Sequence, residues 1–431
     1  MMEQPRQEPT KAAGSGRARR VAILVHRYVG LVMTAFLVVA GLTGALLAFN
    51  QELDTALNPA LLRVEPPTPG ARLLDPYEVQ ARLQEQLPPS TSYRGLSFDG
   101  KPDESLSVWI EIDRDEWRQF LVDPYTGKVL GSRDWGNLSD GVIRNLMPFV
   151  YRLHYSLALG EVGTLLLGIV ALLWTIDCFV GAFLTFPAPV RRGARSERSW
   201  LRRWLPAWRL RTTKLFSFVF TWHRASGLWV WALLLVFAWS AVGLNLHDVY
   251  RPVMQTLSGF QQRVHDQLPH LERPYPEPRL SLRQAHTIGR QLMSEQAGQR
   301  GFEIERELWL RHYPDHGAFS YGVASSLDIS RRYPRTEVYF DAADGRLLGF
   351  EAATGISSGN TFTSWIYGLH FASVWGLWYR LVVSVTGVAV AALSITGAWI
   401  WLRKRAKRTG AALEREPAPA MVHEPIRGIS T

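Results

Sequence analysis

The chain alternates between long apolar stretches and long polar segments. Four stretches contain more apolar residues than the roughly 20 that a membrane-spanning helix needs. The pattern therefore predicts four transmembrane helices, at residues 21–50, 149–187, 215–247 and 364–402. The first stretch is too long for the apolar core of a signal peptide, and no A-x-A cleavage pattern precedes the next polar segment, so we interpret it as a retained helix.

Two polar segments connect these helices in pairs, at residues 51–148 and 248–363. Helical spacing covers 75–87 and 282–292, while alternation over 105–112 predicts a strand. Both segments also end in the same pattern, strand-Asp-x-x-x-Gly-basic-x-Leu-Gly, at Asp123 and Asp341, which is typical of a hairpin. Each segment is therefore predicted to form a small α+β domain, with one helix on an antiparallel sheet.

Charge is distributed unevenly along the chain, whose formal net charge is +10. Basic residues outnumber acidic ones by 6 to 2, 9 to 1 and 7 to 3 in residues 1–27, 188–214 and 402–431. Segment 51–148 has 10 basic and 16 acidic residues, and segment 248–363 has 13 and 14. Because positive flanks stay on the cytoplasmic side, both termini and the 188–214 loop should be cytoplasmic. The basic segments are thus explained as membrane flanks, which argues against nucleic-acid binding.

The predicted layout places the two polar segments outside the cytoplasm. It consists of a cytoplasmic N-terminus (1–20), a helix (21–50), an outer domain (51–148), a helix (149–187), a cytoplasmic loop (188–214), a helix (215–247), an outer domain (248–363), a helix (364–402) and a cytoplasmic tail (403–431). With 47% hydrophobic and only 20% charged residues, the composition excludes an ordinary soluble enzyme. The single cysteine excludes an internal disulfide, a four-cysteine zinc site and a cysteine-ligated iron–sulfur cluster.

The membrane helices carry an internal repeat. The first and third share the pattern His-Arg-x-x-Gly-Leu, beginning at His26 and His223. The second and fourth share Tyr-x-Leu-His, ending at His154 and His370, with a glycine six residues later. The chain thus consists of two copies of helix–outer domain–helix, and because each copy crosses twice, the repeat is parallel.

These motifs, in this order, resemble the PepSY-associated transmembrane-helix family of bacterial inner membranes, over roughly residues 18–405. The third helix departs somewhat from the pattern, with Trp239-Ser240-Ala241-Val242-Gly243 where the first has Thr43-Gly44-Ala45-Leu46. The resemblance implies two PepSY-like periplasmic domains, bound b-type haem, and a role such as that of ferric-siderophore reductases and other iron-uptake membrane proteins.

The four helix-end histidines are the candidate cofactor ligands. Equal depth pairs His26 with His223 near the cytoplasm and His154 with His370 near the outer face. Two facing neutral imidazoles in an apolar bundle suit a six-coordinate haem iron, so we expect two haem b groups. At ~1.5 Å per residue, 24 residues of helix span ~36 Å, which leaves room for two sites. The alternative interpretation is four interfacial polar residues.

Three arginines near these histidines, Arg27, Arg224 and Arg152, are candidate partners for haem propionates. They are equally well explained as side chains that reach lipid headgroups. Zinc fits less well, because it requires about four ligands in one place. Copper fits less well because no cysteine or methionine is suitably arranged.

Other polar or aromatic residues in the apolar stretches are also candidates for a role. Arg380 is expected opposite Glu161 or Asp177, as an intramembrane charge pair. Trp375 and Trp378 are candidates for lining a haem pocket. His247 is interpreted as a boundary residue. The histidines of the second outer segment are interpreted as surface residues: His265, His270, His286, His312 and His316.

The functional expectation is an oxidoreductase that reduces a periplasmic ferric chelate. No flavin or dinucleotide fingerprint occurs, so electrons are expected from membrane quinol or a separate donor protein. No catalytic residue is identified from the sequence. Two alternatives remain open: a membrane-anchored PepSY sensor or protease regulator without a cofactor, and a cytochrome-b-like carrier that serves a different reductase.

Overall fold

A computed structural model describes residues 12–88, 91, 93–113, 116–188, 199–275 and 277–413. The chain divides into two compact units. Unit 1 comprises Met1–Ala35, Phe179–Trp229 and Ala392–Thr431, and unit 2 comprises Phe36–Cys178 and Val230–Ala391.

The helices and strands follow one another as two similar series. The helices are α1 (Ala12–Leu47), α2 (Asn50–Leu57), α3 (Pro59–Leu62), α4 (Pro76–Gln86), α5 (Val142–Ser156), α6 (Gly160–Thr185), α7 (Trp200–Trp204), α8 (Leu215–Trp229), α9 (Trp231–Asn245), α10 (His247–Ser258), α11 (Leu282–Arg300), α12 (Ser358–His370) and α13 (Gly376–Leu413). The strands are β1 (Gly95–Ser97), β2 (Leu106–Asp113), β3 (Glu116–Val122), β4 (Val129–Asp134), β5 (Ile304–Tyr313), β6 (Ala318–Ser325), β7 (Thr336–Asp341) and β8 (Leu347–Glu351).

Three described helices are long and apolar enough to cross a bilayer: Gly16–Leu47 of α1, α6, and Gly376–Lys407 of α13. A fourth span is obtained if α8 and α9, which are interrupted at Val230, are counted together. The protein is therefore a multi-pass membrane protein whose helices contact lipid.

Three of the four predicted helices are each divided into two, and the break at Val230 between α8 and α9 is one of the three. The sequence predicts a single helix over 149–187, but α5 ends at Ser156 and α6 begins at Gly160. Leu157 and Ala158 have left-handed φ angles of 52° and 56°, and the Leu157 N–H bonds back to α5 carbonyls, as in a helix C-cap. The predicted helix 364–402 is likewise divided into α12 and α13. Tertiary structure thus separates each outer histidine from the apolar helix that follows it.

The smaller outer sheet has the order β2-β3-β4 and is antiparallel. Helix α4 packs on it, burying Val79 and Leu83 against Val108 and Phe120. Asp75 caps α4 by accepting a hydrogen bond from the Tyr77 N–H. The helix-and-hairpin expectation for this segment therefore matches the structure closely.

The larger outer sheet has the order β1-β5-β6-β7-β8, with α11 packed on it. Its strand β1 comes from the first polar segment and pairs antiparallel with β5, with Leu96 opposite Leu310. Each segment thus has its own antiparallel sheet, as predicted, but the sheet of the second segment is extended by β1 of the first, which was not predicted. Three residues of strand are too few to produce a readable alternation, so the pairing is visible only in three dimensions.

A buried ion pair connects α2, the smaller sheet and α5. The Arg133 guanidinium donates to both Asp54 oxygens at 3.1 and 2.7 Å and to the Arg144 carbonyl at 2.9 Å. Its Nε donates to Gln119 Oε1 at 2.6 Å. Arg133 is almost completely buried, so these bonds fix the start of the helix that carries His154.

Candidate functional site

The outer histidine pair lies within unit 2. The rings of His154, near the end of α5, and His370, the last residue of α12, have centroids 6.1 Å apart with planes at 72°. Phe237 of α9 contacts the His370 ring at 5.5 Å between centroids. The structure therefore brings together, edge to face, two imidazoles from equivalent positions of the repeat.

Hydroxyl groups fix which nitrogen of these rings carries hydrogen. His154 Nδ1 lies 3.0 Å from Thr43 Oγ1, and His370 Nδ1 lies 2.6 Å from Ser240 Oγ. Each hydroxyl already donates its single hydrogen to a carbonyl of its own helix, at Val39 and Val236. With the hydroxyl hydrogen on that carbonyl, the hydroxyl oxygen accepts from Nδ1–H, and the lone pair is then on Nε2. A histidine that binds a metal through one ring nitrogen usually donates a hydrogen bond from the other.

The inner histidine pair lies within unit 1. His26 of α1 and His223 of α8 have ring centroids 6.2 Å apart with planes at 63°. His223 Nδ1 lies 3.1 Å from Thr396 Oγ1, and this hydroxyl donates to the Ala392 carbonyl at 2.7 Å. His223 is thus held in the same tautomer as the outer rings. The position that corresponds to Thr396 in the other repeat is Val180, which has no hydroxyl.

Glycines provide the surfaces on which three of the rings lie. A Cβ on Gly44 would lie 3.0 Å from His154 Cε1, and a Cβ on Gly397 would lie 3.2 Å from His223 Cε1. A Cβ on Gly181 would lie 3.5 Å from His26 Cε1. Larger side chains at Gly44 or Gly397 would therefore displace the imidazoles.

The geometry of both pairs fits a shared iron. Imidazole nitrogens bind first-row metals at about 2.0 Å, so two rings on opposite sides of one metal have centroids about 6 Å apart. The observed 6.1 and 6.2 Å agree with that separation. Among the described residues, no group of three or more His, Cys, Asp or Glu is arranged to hold a metal ion. Two nitrogens per site suit a group that supplies its remaining ligands itself, as haem does.

The three arginines predicted as propionate contacts have different environments. Arg224 donates to the carbonyls of Pro206 and Ala207, at 2.8 and 3.2 Å. Arg152 packs over Gly136, and Arg27 is half-buried directly after His26. Because two Arg224 nitrogens already donate to these carbonyls, the main contact of this residue in the structure is with the segment before α8.

Two predictions about other residues in the apolar stretches are wrong. Arg380 pairs with Glu52 instead of Glu161 or Asp177, and its Nε donates to the Ala48 carbonyl at 2.7 Å. Glu52 lies beyond the apolar run of α1, where an acidic side chain is still hydrated. Trp375 and Trp378 are 63% and 68% exposed, so they face outward and do not line the histidine pair.

Two histidines of the polar segment 248–363, His286 and His312, are more buried than the surface position expected for them. His286 bonds to the Tyr77 hydroxyl at 2.8 Å and to Glu307 at 3.1 Å. His312 lies on β5, in the larger sheet, and its Nε2 is buried without a hydrogen-bond partner in the described part of the chain. Burial, and then the charge of Arg94, lower the pKa of His312 to about 4. Strand β5 continues through Tyr313, and a short turn at Pro314–His316 follows it.

Three further histidines, His265, His270 and His316, lie close together, and the His265 ring centroid is 5.1 Å from that of Tyr313 on β5. The His316 ring centroid lies 5.0 Å from that of His265 and 5.7 Å from that of His270. His247 is the first residue of α10, which agrees with its interpretation as a boundary residue.

Comparison with known proteins supports the resemblance seen in the motifs. No curated protein matches this chain. The family model described as the PepSY-associated TM region matches residues 23–404, which include both histidine pairs and both outer domains. The chain therefore belongs to the family of the PepSY-associated TM region.

Proposed function

We propose that this protein is a di-haem b-type electron-transfer protein of a bacterial inner membrane, and that it reduces a periplasmic ferric chelate, such as a ferric siderophore, to release ferrous iron for uptake. The observation that carries the proposal is the outer pair. Two imidazoles from equivalent repeat positions have ring centroids 6.1 Å apart, and a hydroxyl oxygen lies within hydrogen-bond distance of Nδ1 of each ring, an arrangement that supports metal binding through Nε2.

Each histidine pair would hold one haem. His154 and His370 would bind one, and His26 and His223 the other, with Arg27, Arg152 and Arg224 as candidate partners of the propionates. When bound, haem iron supplies one-electron chemistry between its ferric and ferrous forms. The residues themselves fix the ring tautomers, through Thr43, Ser240 and Thr396, and surround the rings with apolar side chains that exclude water.

The orientation follows from the charge distribution. Basic residues at both ends and in the loop 188–214 support a cytoplasmic location for these segments and a periplasmic one for the two PepSY-like domains. The four spans would then form a parallel repeat of two helix pairs. The outer histidine pair would lie next to the domains that meet the chelate.

The overall reaction balances with a membrane quinol as the reductant. One quinol gives up two electrons and two protons, and each electron converts one chelated ferric ion into a ferrous ion. Oxygen-rich chelators hold the smaller and more highly charged ferric ion much more tightly, so reduction promotes release. A separate electron-donor protein would provide the same electrons one at a time.

The test is a reduced-minus-oxidised absorption spectrum and a haem-to-protein ratio on the purified protein. We expect low-spin b-type bands and about two haems per chain. Alanine variants of His26, His154, His223 and His370 should each lose or alter one haem. H316A, a histidine variant outside both pairs, is the control and should keep the wild-type spectrum.

Reduction of a substrate is then tested directly. The reduced protein is mixed with a ferric chelate, and its reoxidation is followed together with trapping of the ferrous ion by a colorimetric chelator. Reoxidation in step with ferrous release supports the reductase. A folded protein without haem, whose histidine variants change nothing, would contradict the proposal and favour a sensor or protease regulator. Haem without chelate-dependent reoxidation would favour a carrier for another reductase.

A further inference from the structure

A basic and aromatic loop connects β6 to β7 in unit 2. We name residues 330–335, with the sequence Ser-Arg-Arg-Tyr-Pro-Arg, the arginine loop. It holds three arginines and no acidic residue, although the polar segment 248–363 to which it belongs has 14 acidic and 13 basic residues. The loop is therefore a local concentration of positive charge on an outer region that is slightly negative overall.

The base of the arginine loop is fixed by internal hydrogen bonds. The Arg335 N–H donates to Asp328 at 2.6 Å, and Thr336 Oγ1 donates to the same carboxylate at 3.1 Å. Ser330 Oγ donates to the Ser373 carbonyl, just after α12, at 3.2 Å. The Asp328 carboxylate thus accepts hydrogen bonds from the base of the loop. The Ser330 bond holds the loop against the end of the helix that carries His370.

The aromatic residue of the arginine loop lies beside both outer histidine helices. Tyr333 is 50% exposed, and its ring centroid lies 6.2 Å from that of Phe371. Phe371 in turn lies 5.7 Å from the ring of His370. On the other side, Tyr333 is close enough to interact electrostatically with Tyr151, three residues before His154 on α5. A molecule that rests on Tyr333 is therefore next to the outer histidine pair.

The three loop arginines differ in exposure, and Arg332 and Arg335 are half-buried. Arg331 is exposed, and the Arg332 guanidinium lies 5.6 Å from the Tyr333 ring centroid. The carboxylate that interacts with Arg332 is Glu52, and it is already paired with Arg380. The guanidinium groups thus remain a net positive surface.

Resting on the proposed function, we propose that the arginine loop is the docking site for an anionic ferric chelate, of the tris-catecholate or polycarboxylate type. Guanidinium groups match catecholate and carboxylate oxygens in charge and geometry. The exposed Tyr333 ring offers a face on which a catechol ring stacks. The site should favour anionic chelates over neutral trihydroxamates, and cationic chelates should bind least well.

Anionic lipid headgroups also bind arginines near a membrane surface. The chelate is favoured because the ring contacts run from Tyr333 through Phe371 to His370, a continuity that a headgroup site does not need. The loop also belongs to the outer sheet, between two of its strands, instead of following a transmembrane helix. Lipid binding is therefore treated as the competing outcome.

The test measures binding of a chelate that cannot be reduced by the protein. Full-length protein in phosphatidylcholine nanodiscs is titrated with gallium(III) tris-catecholate, and separately with a neutral gallium(III) trihydroxamate. The variant R331Q/R332Q removes two loop charges. R273Q/R279Q is the matched control, since Arg273 and Arg279 are exposed arginines of the same polar segment.

We expect R331Q/R332Q to bind the tris-catecholate roughly tenfold or more weakly, because two charge-assisted contacts are lost. Binding of the trihydroxamate should change little, and the control should behave as wild type. R331K/R332K keeps the charge without the planar fork and should lie between wild type and R331Q/R332Q. Equal tris-catecholate affinity in wild type and R331Q/R332Q would overturn the inference.

The competing outcome is separated by repeating the titration in nanodiscs with phosphatidylglycerol. If the arginines bind lipid, R331Q/R332Q will retain less phosphatidylglycerol, while its tris-catecholate affinity stays unchanged, and this result would reject the chelate site.

The measurements also distinguish failure of the docking site from failure of the proposed function. A protein that binds the gallium chelate but contains no haem contradicts only the proposed function. A haem-loaded protein that reduces anionic and neutral chelates equally well in both variants contradicts only the docking site.

Discussion

The inner and outer histidine pairs differ in what supports them. His26 and His223 belong to α1 and α8, which are parts of the long apolar stretches, and the inner contacts come from Thr396 and two glycines of other apolar helices. His154 and His370 instead end the short helices α5 and α12, which are separated by left-handed turns from the apolar helices that follow. Both pairs are thus contacted by hydroxyls or glycines of apolar helices, but only the outer pair lies on short helices that connect directly to the outer domains.

The outer pair depends on the outer domain. Arg133, on β4 of the smaller sheet, donates to the Arg144 carbonyl near the start of α5. Ser357 caps α12 just after β8, and Asn360 of the same helix accepts from the Gln261 N–H at 2.8 Å. The comparison teaches that a change in the outer domain should alter the outer pair first and leave the inner pair unchanged.

The largest effect is expected from filling the space under one ring. In G44L the new side chain begins 3.0 Å from His154 Cε1, so we expect loss of the outer haem and retention of the inner one. G397L should do the reverse, through His223. Haem stoichiometry and the spectrum of the remaining haem are the measurements. G30L is the control, because nothing lies within 4 Å of a Cβ at Gly30; a loss of haem there would mean that bulk alone disrupts the bundle.

The next largest effect is expected from breaking the buried ion pair. R133M leaves the Asp54 carboxylate buried without its partner, which costs roughly 3–5 kcal/mol. We expect the outer domain to unfold at lower denaturant concentration and the outer haem to be released with it. D54N/R133M should recover part of the loss, and R82Q, which removes an exposed pair with Glu78, should have little effect. Simultaneous release of both haems by R133M would argue against separate support.

Low pH should reduce the stability of the outer domain that contains the larger sheet, because His312 is buried there. Its pKa is lowered to about 4 in the folded chain, so below about pH 6.5 the unfolded chain binds a proton that the folded chain does not. Stability should therefore fall as the pH decreases from about 6.5 to 4, by about 3 kcal/mol from this group. Denaturant unfolding at several pH values measures it. H312F should show a weaker fall than wild type over this range, whereas the exposed control H270Q should not. Parallel pH curves for wild type and H312F would reject this explanation.

The smallest effect is expected from removing hydroxyl groups. T43V and S240A take away the acceptors of Nδ1–H on the outer rings, which lowers the basicity of the imidazoles and favours ferrous iron. The outer midpoint potential should rise by tens of mV; a tenfold change in relative affinity corresponds to about 59 mV for one electron. T396V should raise only the inner potential. Redox titration of each variant checks this, and an unchanged outer potential in T43V/S240A would count against outer ligation through Nε2.

Much of the fold is readable from local pattern. Helix α4 with its Asp75 cap, the hairpin of β3 and β4, and strand β7 follow from spacing and turn chemistry that involve only neighbouring residues. The breaks after His154 and His370 were not predicted, because an apolar sequence continues through them and hydrophobicity does not report a left-handed turn. The β1–β5 pairing was missed because it joins residues more than 200 positions apart.

The candidate site, too, was predicted only in part from the sequence. The repeat motifs predict four histidines and pair them by depth, and the same rings lie together in the structure. The supporting hydroxyls were not singled out, although Thr43 and Ser240 occupy equivalent positions of the repeat, because serine and threonine in a membrane helix usually bond only to their own backbone. The arginine loop was missed because its charges are averaged out within the 248–363 segment.

By itself, the sequence determined the membrane character of the chain, its internal repeat, its expected orientation and the identity of the paired histidines, since apolar length, charge bias and motif order are properties of the chain. Only the tertiary structure decided which hydroxyl meets which imidazole, which acid pairs with Arg380, and which loop lies beside the outer pair. Those contacts join residues that are distant along the chain, and packing in three dimensions, which no local pattern encodes, selects among the many partners that composition allows.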